Sequence, residues 1–190
     1  MAEARLGWDT ASWLKWPLLA AAAGAAVFTP ATAAFLILLV PLLSDVAARE
    51  DLHGTRGLVF SQPGIPGSRV LWKAGAIALI VMTLGLPAIV RALATSFRHA
   101  AAMATGLLFT AALATAAGSI SRGGKLFAAV FTPLWYVGLS GAAAGPFDLT
   151  GAFGGNLGTK TRLAYLAATA VALGIALAVE RRRRSWRDVR

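Results

Sequence analysis

The stretch Ala100-Ala101-Ala102-Met103-Ala104-Thr105-Gly106-Leu107-Leu108-Phe109-Thr110-Ala111-Ala112-Leu113-Ala114-Thr115-Ala116-Ala117-Gly118-Ser119-Ile120-Ser121 contains no charged residue. A transmembrane helix needs about 20 mostly apolar residues. The stretch is of that scale, and it lacks the strict apolar–polar alternation of a barrel strand. It is therefore expected to cross a bilayer as a helix. Four more stretches read the same way: Trp16 to Ser44, Ala74 to Val90, Leu126 to Phe147 and Leu163 to Val179. The fold class that follows is all-α, a polytopic bundle of transmembrane helices.

Composition agrees. Charged residues make up 14% of the chain and hydrophobic ones 57%, whereas soluble domains carry about 25% charged residues. So few charges would not cover the surface of a water-soluble protein of 190 residues, and lipid must solvate much of the exterior. Residues 1–190 form a single membrane domain, with no room for a separate soluble one. The absence of cysteine excludes disulfides and thiolate metal sites.

Trp16 to Ser44 is too long for one ordinary span, and Thr29-Pro30 lies near its middle. Proline lacks a backbone donor and disfavours helix in the residue before it. A tight turn there gives spans at approximately 11–28, 31–48, 70–90, 100–120, 124–145 and 162–180, with a tail at 181–190. The alternative is one kinked helix and five spans, since membrane helices tolerate proline. A cleavable leader is another reading of the N-terminus, but hydrophobic sequence follows the first apolar run without a polar start.

Lysine and arginine set the orientation. With the tail Arg181 to Arg184, Arg187 and Arg190 in the cytoplasm, the inner side takes all but four of the 18 lysines and arginines. The outer four are Arg91, Arg98, Lys160 and Arg162, with Arg91 and Arg98 flanking a short outer loop. The net charge of +10 is concentrated in the tail. It suits anionic lipid headgroups. No folded basic face suggests a nucleic-acid partner. Trp13, Trp16, Trp72 and Trp186 fall at span ends, where tryptophan anchors helices at the interface. Trp135-Tyr136 lies within the fifth span as a packing element.

Ionisable residues are nearly absent from the spans. Asp45 and Lys73 lie near inner ends, where water and headgroups reach them. No nucleophile–base pair is apparent. His53 and His99 fall on opposite sides of the membrane, so they do not share a metal. No Gly-rich loop followed by Lys-Ser or Lys-Thr is present to cradle ATP. The chain therefore reads as a non-enzyme with no cofactor of its own.

The distinctive segment is Arg49-Glu50-Asp51-Leu52-His53-Gly54-Thr55-Arg56-Gly57-Leu58-Val59-Phe60-Ser61-Gln62-Pro63, followed by Ser68-Arg69-Val70-Leu71-Trp72-Lys73. Its mixture of charged and apolar residues suits a surface helix lying on the membrane or on a partner; an ordinary solvated loop is the plainer reading. Arg49-Glu50, Gly54-Thr55, a short apolar stretch, Gln62-Pro63, Arg69 and then Lys73 at the next span resemble the pattern of type-2 ABC transporter permeases, the ABC-2 exporter class. The family's Gly-Lys is Trp72-Lys73 here. The resemblance continues through Ala111-Ala112-Leu113, Gly118 to Arg122, Leu134-Trp135-Tyr136 and Phe147-Asp148-Leu149-Thr150-Gly151, which resemble the fourth span with its inner turn and the fifth span with its outer loop.

This resemblance implies a permease subunit in the cell membrane, paired with a second copy or a paralogue. ATP and Mg would be bound by a separate ATPase subunit. The loop between spans two and three would supply a short cytoplasmic coupling helix, with Glu50, Gly54, Thr55, Arg56, Leu58, Phe60, Gln62 and Pro63 as the contact to that ATPase. Span one is short, and its outer loop is nearly absent. Alternative functions are a secondary transporter, a channel or a non-transporting membrane scaffold subunit.

The charge count generates a prediction. In the cysteine-free chain, single cysteines placed at Ser61 and Ser185 resist an impermeant thiol reagent in intact cells and label once the cells are permeabilised. Labelling of either in intact cells reverses the orientation.

Overall fold

The computed structural model describes residues 37, 39–44, 46, 69–121, 124–139, 147–149 and 158–185. Among these, four helices account for nearly everything: α1 (Arg69–Thr95), α2 (Phe97–Ser121), α3 (Lys125–Leu139) and α4 (Thr159–Ser185). Residues 39–44 are also helical, and no strand occurs among the described residues. Three helices, α1, α2 and α4, are long and apolar enough to cross a membrane. At about 1.5 Å per residue, the 27 residues of α1 and of α4 reach beyond the roughly 30 Å hydrocarbon core. The helix α3 has 15 described residues. The turn at Thr29-Pro30, the span expected at 11–28 and most of that at 31–48 lie outside the described residues.

The helices run past their expected limits. α1 reaches Thr95 and α2 begins at Phe97, so Arg91 and Arg98 lie within helices rather than in a loop. Only Ser96 separates the two, and its chemistry explains why the helix breaks there. Its amide still donates to the Ala92 carbonyl at 2.9 Å, ending α1. Its hydroxyl accepts from the His99 amide at 3.2 Å and lies 2.8 Å from His99 Nδ1. This is an N-cap, in which a serine oxygen satisfies an amide that the first turn would leave unbonded. The chain reverses at this point. Gly85 and Leu107, equidistant in sequence from Ser96, meet across the α1–α2 seam.

α2 is the central helix. Of the apolar window in each long helix, 72% is buried in α2, against 28% in α1 and 17% in α4. One stripe of α2 (Ala100, Met103, Leu107, Ala111, Ala114 and Ala117) joins a core with Leu39 and Leu43, with Ile77, Val81 and Ala88 of α1, and with Phe127 and Phe131 of α3. A second stripe, Ala112 and Ala116, packs with Val70 of α1 and Ala172 and Ala176 of α4. Small residues suit this position because lipid supplies no hydrophobic drive between helices. Association then rests on close van der Waals contact, which short side chains allow. The buried hydroxyls of Thr110 and Thr115 donate to the carbonyls of Gly106 and Ala111, at 2.9 and 2.8 Å. They therefore need no partner on another helix.

A Cβ on Gly85 would overlap the buried Leu107 side chain. Gly85→Val should therefore destabilise the purified protein by about 1–3 kcal/mol through overpacking. Adding Leu107→Ala should recover part of that loss, a non-additivity expected of contacting residues. Thermal unfolding in detergent measures both. Strict additivity would mean that the two residues do not meet.

Candidate functional site

The first candidate is the end of the bundle marked by Arg183. The Arg183 guanidinium donates to the carbonyl of Ile120 at 3.0 Å. A cation at the C-terminus of α2 both satisfies a carbonyl that the helix leaves open and complements the negative end of the helix dipole. The contact fixes α4 parallel to α2, with their last turns side by side. Edge-to-face contact between Phe109 and Tyr165, at a centroid distance of 5.4 Å, marks the same seam further along.

Three further chain segments converge here. Val70 packs among Ala116 and Ala176, which brings the start of α1 to this end. A Cβ on Gly124 would lie 2.7 Å from Ser44 Cβ and 2.9 Å from the Ser44 carbonyl oxygen. The end of segment 39–44 is thus seated against the start of α3. Buried Arg69 and Glu180 bring opposite formal charges to this end, while Lys125, Arg181 and Arg182 are exposed there. Trp72 is 70% exposed beside them, which suits an aromatic residue at a bilayer interface. The basic stretch expected as a tail from 181 is helical through Ser185, as a continuation of α4.

The proposed contact residues Glu50, Gly54, Thr55, Arg56, Leu58, Phe60, Gln62 and Pro63 lie outside the described residues. Both flanks of their segment, Ser44 and Arg69, are at the Arg183 end.

The second candidate is one that sequence reasoning missed. Asp148, expected in an outer loop, is fully buried. It belongs to a short stretch, Phe147 to Leu149, held against the bundle on two sides. The Phe147 carbonyl oxygen lies where a Cβ on Gly138 of α3 would be only 2.8 Å away. Leu149 is part of the core that contains α2 and α3 residues. Tyr165 of α4 packs against the same core as Leu149. Tyr165 in turn touches Phe109, the middle residue of α2. Asp148 lies between α3 and α4, as expected, and the new finding is its burial. The signal was present in the sequence: Asp148 is a lone acid between Phe147 and Leu149, with no other charged residue between Lys125 and Lys160.

Trp135 is partly buried against the main core, as a packing element should be, whereas Tyr136 is 63% exposed. Among the described residues, no group of three or more potential metal ligands occurs. No protein-family model, curated protein or solved structure matches the chain.

The Ser44–Gly124 contact can be tested directly. Gly124→Ala meets backbone atoms of Ser44 that have no rotamer to escape into, so it should lower stability by about 1–3 kcal/mol. Gly174→Ala, whose Cβ would meet nothing within 4 Å, should be neutral or stabilising by up to about 1 kcal/mol. Equal effects in detergent unfolding would remove the contact from the account.

Proposed function

We propose that this chain is the membrane-spanning subunit of an ABC transporter of the ABC-2 permease class. It would sit in the cell membrane with the Arg183 end in the cytoplasm and draw energy from a separate ATPase chain. The observation that supports this most is the position of the flanks of the 49–63 segment. Ser44 and Arg69 stand at the same end as Arg181, Arg182 and Lys125. On the positive-inside rule that end faces the cytoplasm, where an ATPase would dock. The motif order from Arg49-Glu50 to Gln62-Pro63 supports the family reading.

In this proposal the partners are the ATPase, which binds ATP and Mg, a second permease copy or a paralogue, and the surrounding membrane lipids. Closure of the ATPase pair on ATP would push the 49–63 segment. Through its short connections at Ser44 and Arg69, the push would reach segment 39–44 and α1. Both pack on the core that contains α2, so a displacement at the Arg183 end would be transmitted along rigid helices. A second reading, a secondary transporter or channel, has one observation in its favour. Asp148 is a carboxylate buried within the bundle, and buried carboxylates in membrane proteins commonly mark ion pathways.

Leu58, Val59 and Phe60 would supply the apolar contact to the ATPase, with Glu50 and Arg56 at its rim. Truncating an interface anchor typically costs about 2 kcal/mol or more. Phe60→Asp should therefore abolish co-purification with an ATPase encoded beside this chain, together with the ATP hydrolysis of the complex. Arg122→Ala, in the connection between α2 and α3, should leave both close to wild type. Normal insertion of Phe60→Asp with both properties intact would refute the coupling role.

A further inference from the structure

We propose that the cations around the end of α2 form a collar that selects anionic phospholipids, with Arg181 and Arg182 of α4 and Lys125 of α3 as its headgroup contacts. The collar requires only that the helices lie in a membrane, and it holds with or without an ATPase partner.

Depth places these side chains first. At about 1.5 Å per residue, the charge-free run Leu163 to Val179 of α4 spans about 25 Å, most of the roughly 30 Å hydrocarbon core. Arg181 and Arg182 follow it within one turn, at the level of the headgroups. The Arg183–Ile120 bond sets the last turn of α2 at the same level. Lys125 opens α3 just after α2 ends at Ser121, and the apolar Leu126 and Phe127 follow at once. Trp72, 70% exposed at this end, marks the interface independently.

Direction comes next. α4 stays helical through Ser185, so successive arginines point about 100° apart. Arg183 takes the inward bearing, to the Ile120 carbonyl, while Arg181 and Arg182 are exposed. Lys125 is exposed as well. Charge then decides the ligand. Glu180 is the one acid among the described residues at this end, and it is buried. The exposed surface is therefore cationic, and cations at a membrane surface attract anionic lipids. An acidic protein surface would have to approach from the water, whereas these side chains arise at headgroup level, where lipid is always at hand.

Lipid retention tests this. The full chain is purified in detergent with equal amounts of phosphatidylglycerol and phosphatidylcholine, and the lipids that stay bound are counted by mass spectrometry. Both lipids carry a phosphate, but only phosphatidylglycerol is net anionic. At low salt it should be enriched about fivefold, the ratio that one nearby cation would give. The enrichment should shrink toward parity at about 0.5 M salt. Lys125→Gln with Arg181→Gln should cut it to about twofold, with Arg182 still in place. Arg98→Gln with Lys160→Gln, exposed cations at the other end, should leave it unchanged. If the first double variant does not insert, Arg181→Gln alone decides: a smaller enrichment supports the collar and an unchanged one overturns it. Equal retention of the two lipids, enrichment that ignores salt, or equal losses from the two pairs of substitutions also overturns the proposal.

Discussion

Close approach of α2 to its neighbours is the constraint on which the rest of the structure depends. Inside a bilayer, apolar side chains gain nothing by leaving lipid for one another, so helices associate through fit. α2 achieves fit mainly with short side chains on its packed stripes, Met103 and Leu107 being the larger members. Its alanines meet α1, α3 and segment 39–44 along one stripe and α4 along another. Its threonines bond back to their own helix. Gly85 continues the same logic on α1, giving Leu107 the room that a side chain would occupy. The outer helices bear the opposite character. Leu79, Leu86 and Val90 of α1, and Leu163, Leu166 and Val171 of α4, are exposed, as side chains that face acyl chains should be.

This packing gives the two ends of the bundle different chemistry. At the Ser96 end, a capped turn joins α1 to α2. The Arg183 end gathers the start of α1, the end of α2, the start of α3, the end of segment 39–44 and the last turns of α4. Arg183 bonding to the Ile120 carbonyl couples α4 to α2 there. A partner acting at that end would touch several helices at once. This convergence gives the proposed ATPase docking its physical sense.

The helices were legible in the sequence because charge-free length is a strong signal: each stretch from Ala74 onward marked a helix. Their ends were less so. Arg91, Arg98 and Arg181 suggested loops, but arginine is a good helix former and snorkels, so charge marks the interface rather than the end of the helix. Ser96 was the true break, and one serine among many carries little information by itself. Which helix is central was not read, because small residues occur in every span; only their register on α2 separates the two stripes. The burial of Asp148 was not read either, because it follows from its neighbours: Phe147 approaches Gly138 and Leu149 joins the core, contacts made outside the stretch itself.

The centrality of α2 is tested most directly by a leucine scan, read as the thermal midpoint in detergent. Leucine at Ala111, Ala112, Ala114 and Ala116, all buried, should lower the midpoint at every position, because α2 is packed on more than one side. Leucine at the exposed Ala167, Ala170 and Ala178 of α4 should leave it nearly unchanged. If α2 tolerates leucine at Ala112 and Ala116 as readily as α4 does at its exposed positions, α4 is not packed on α2 and the architecture described is wrong.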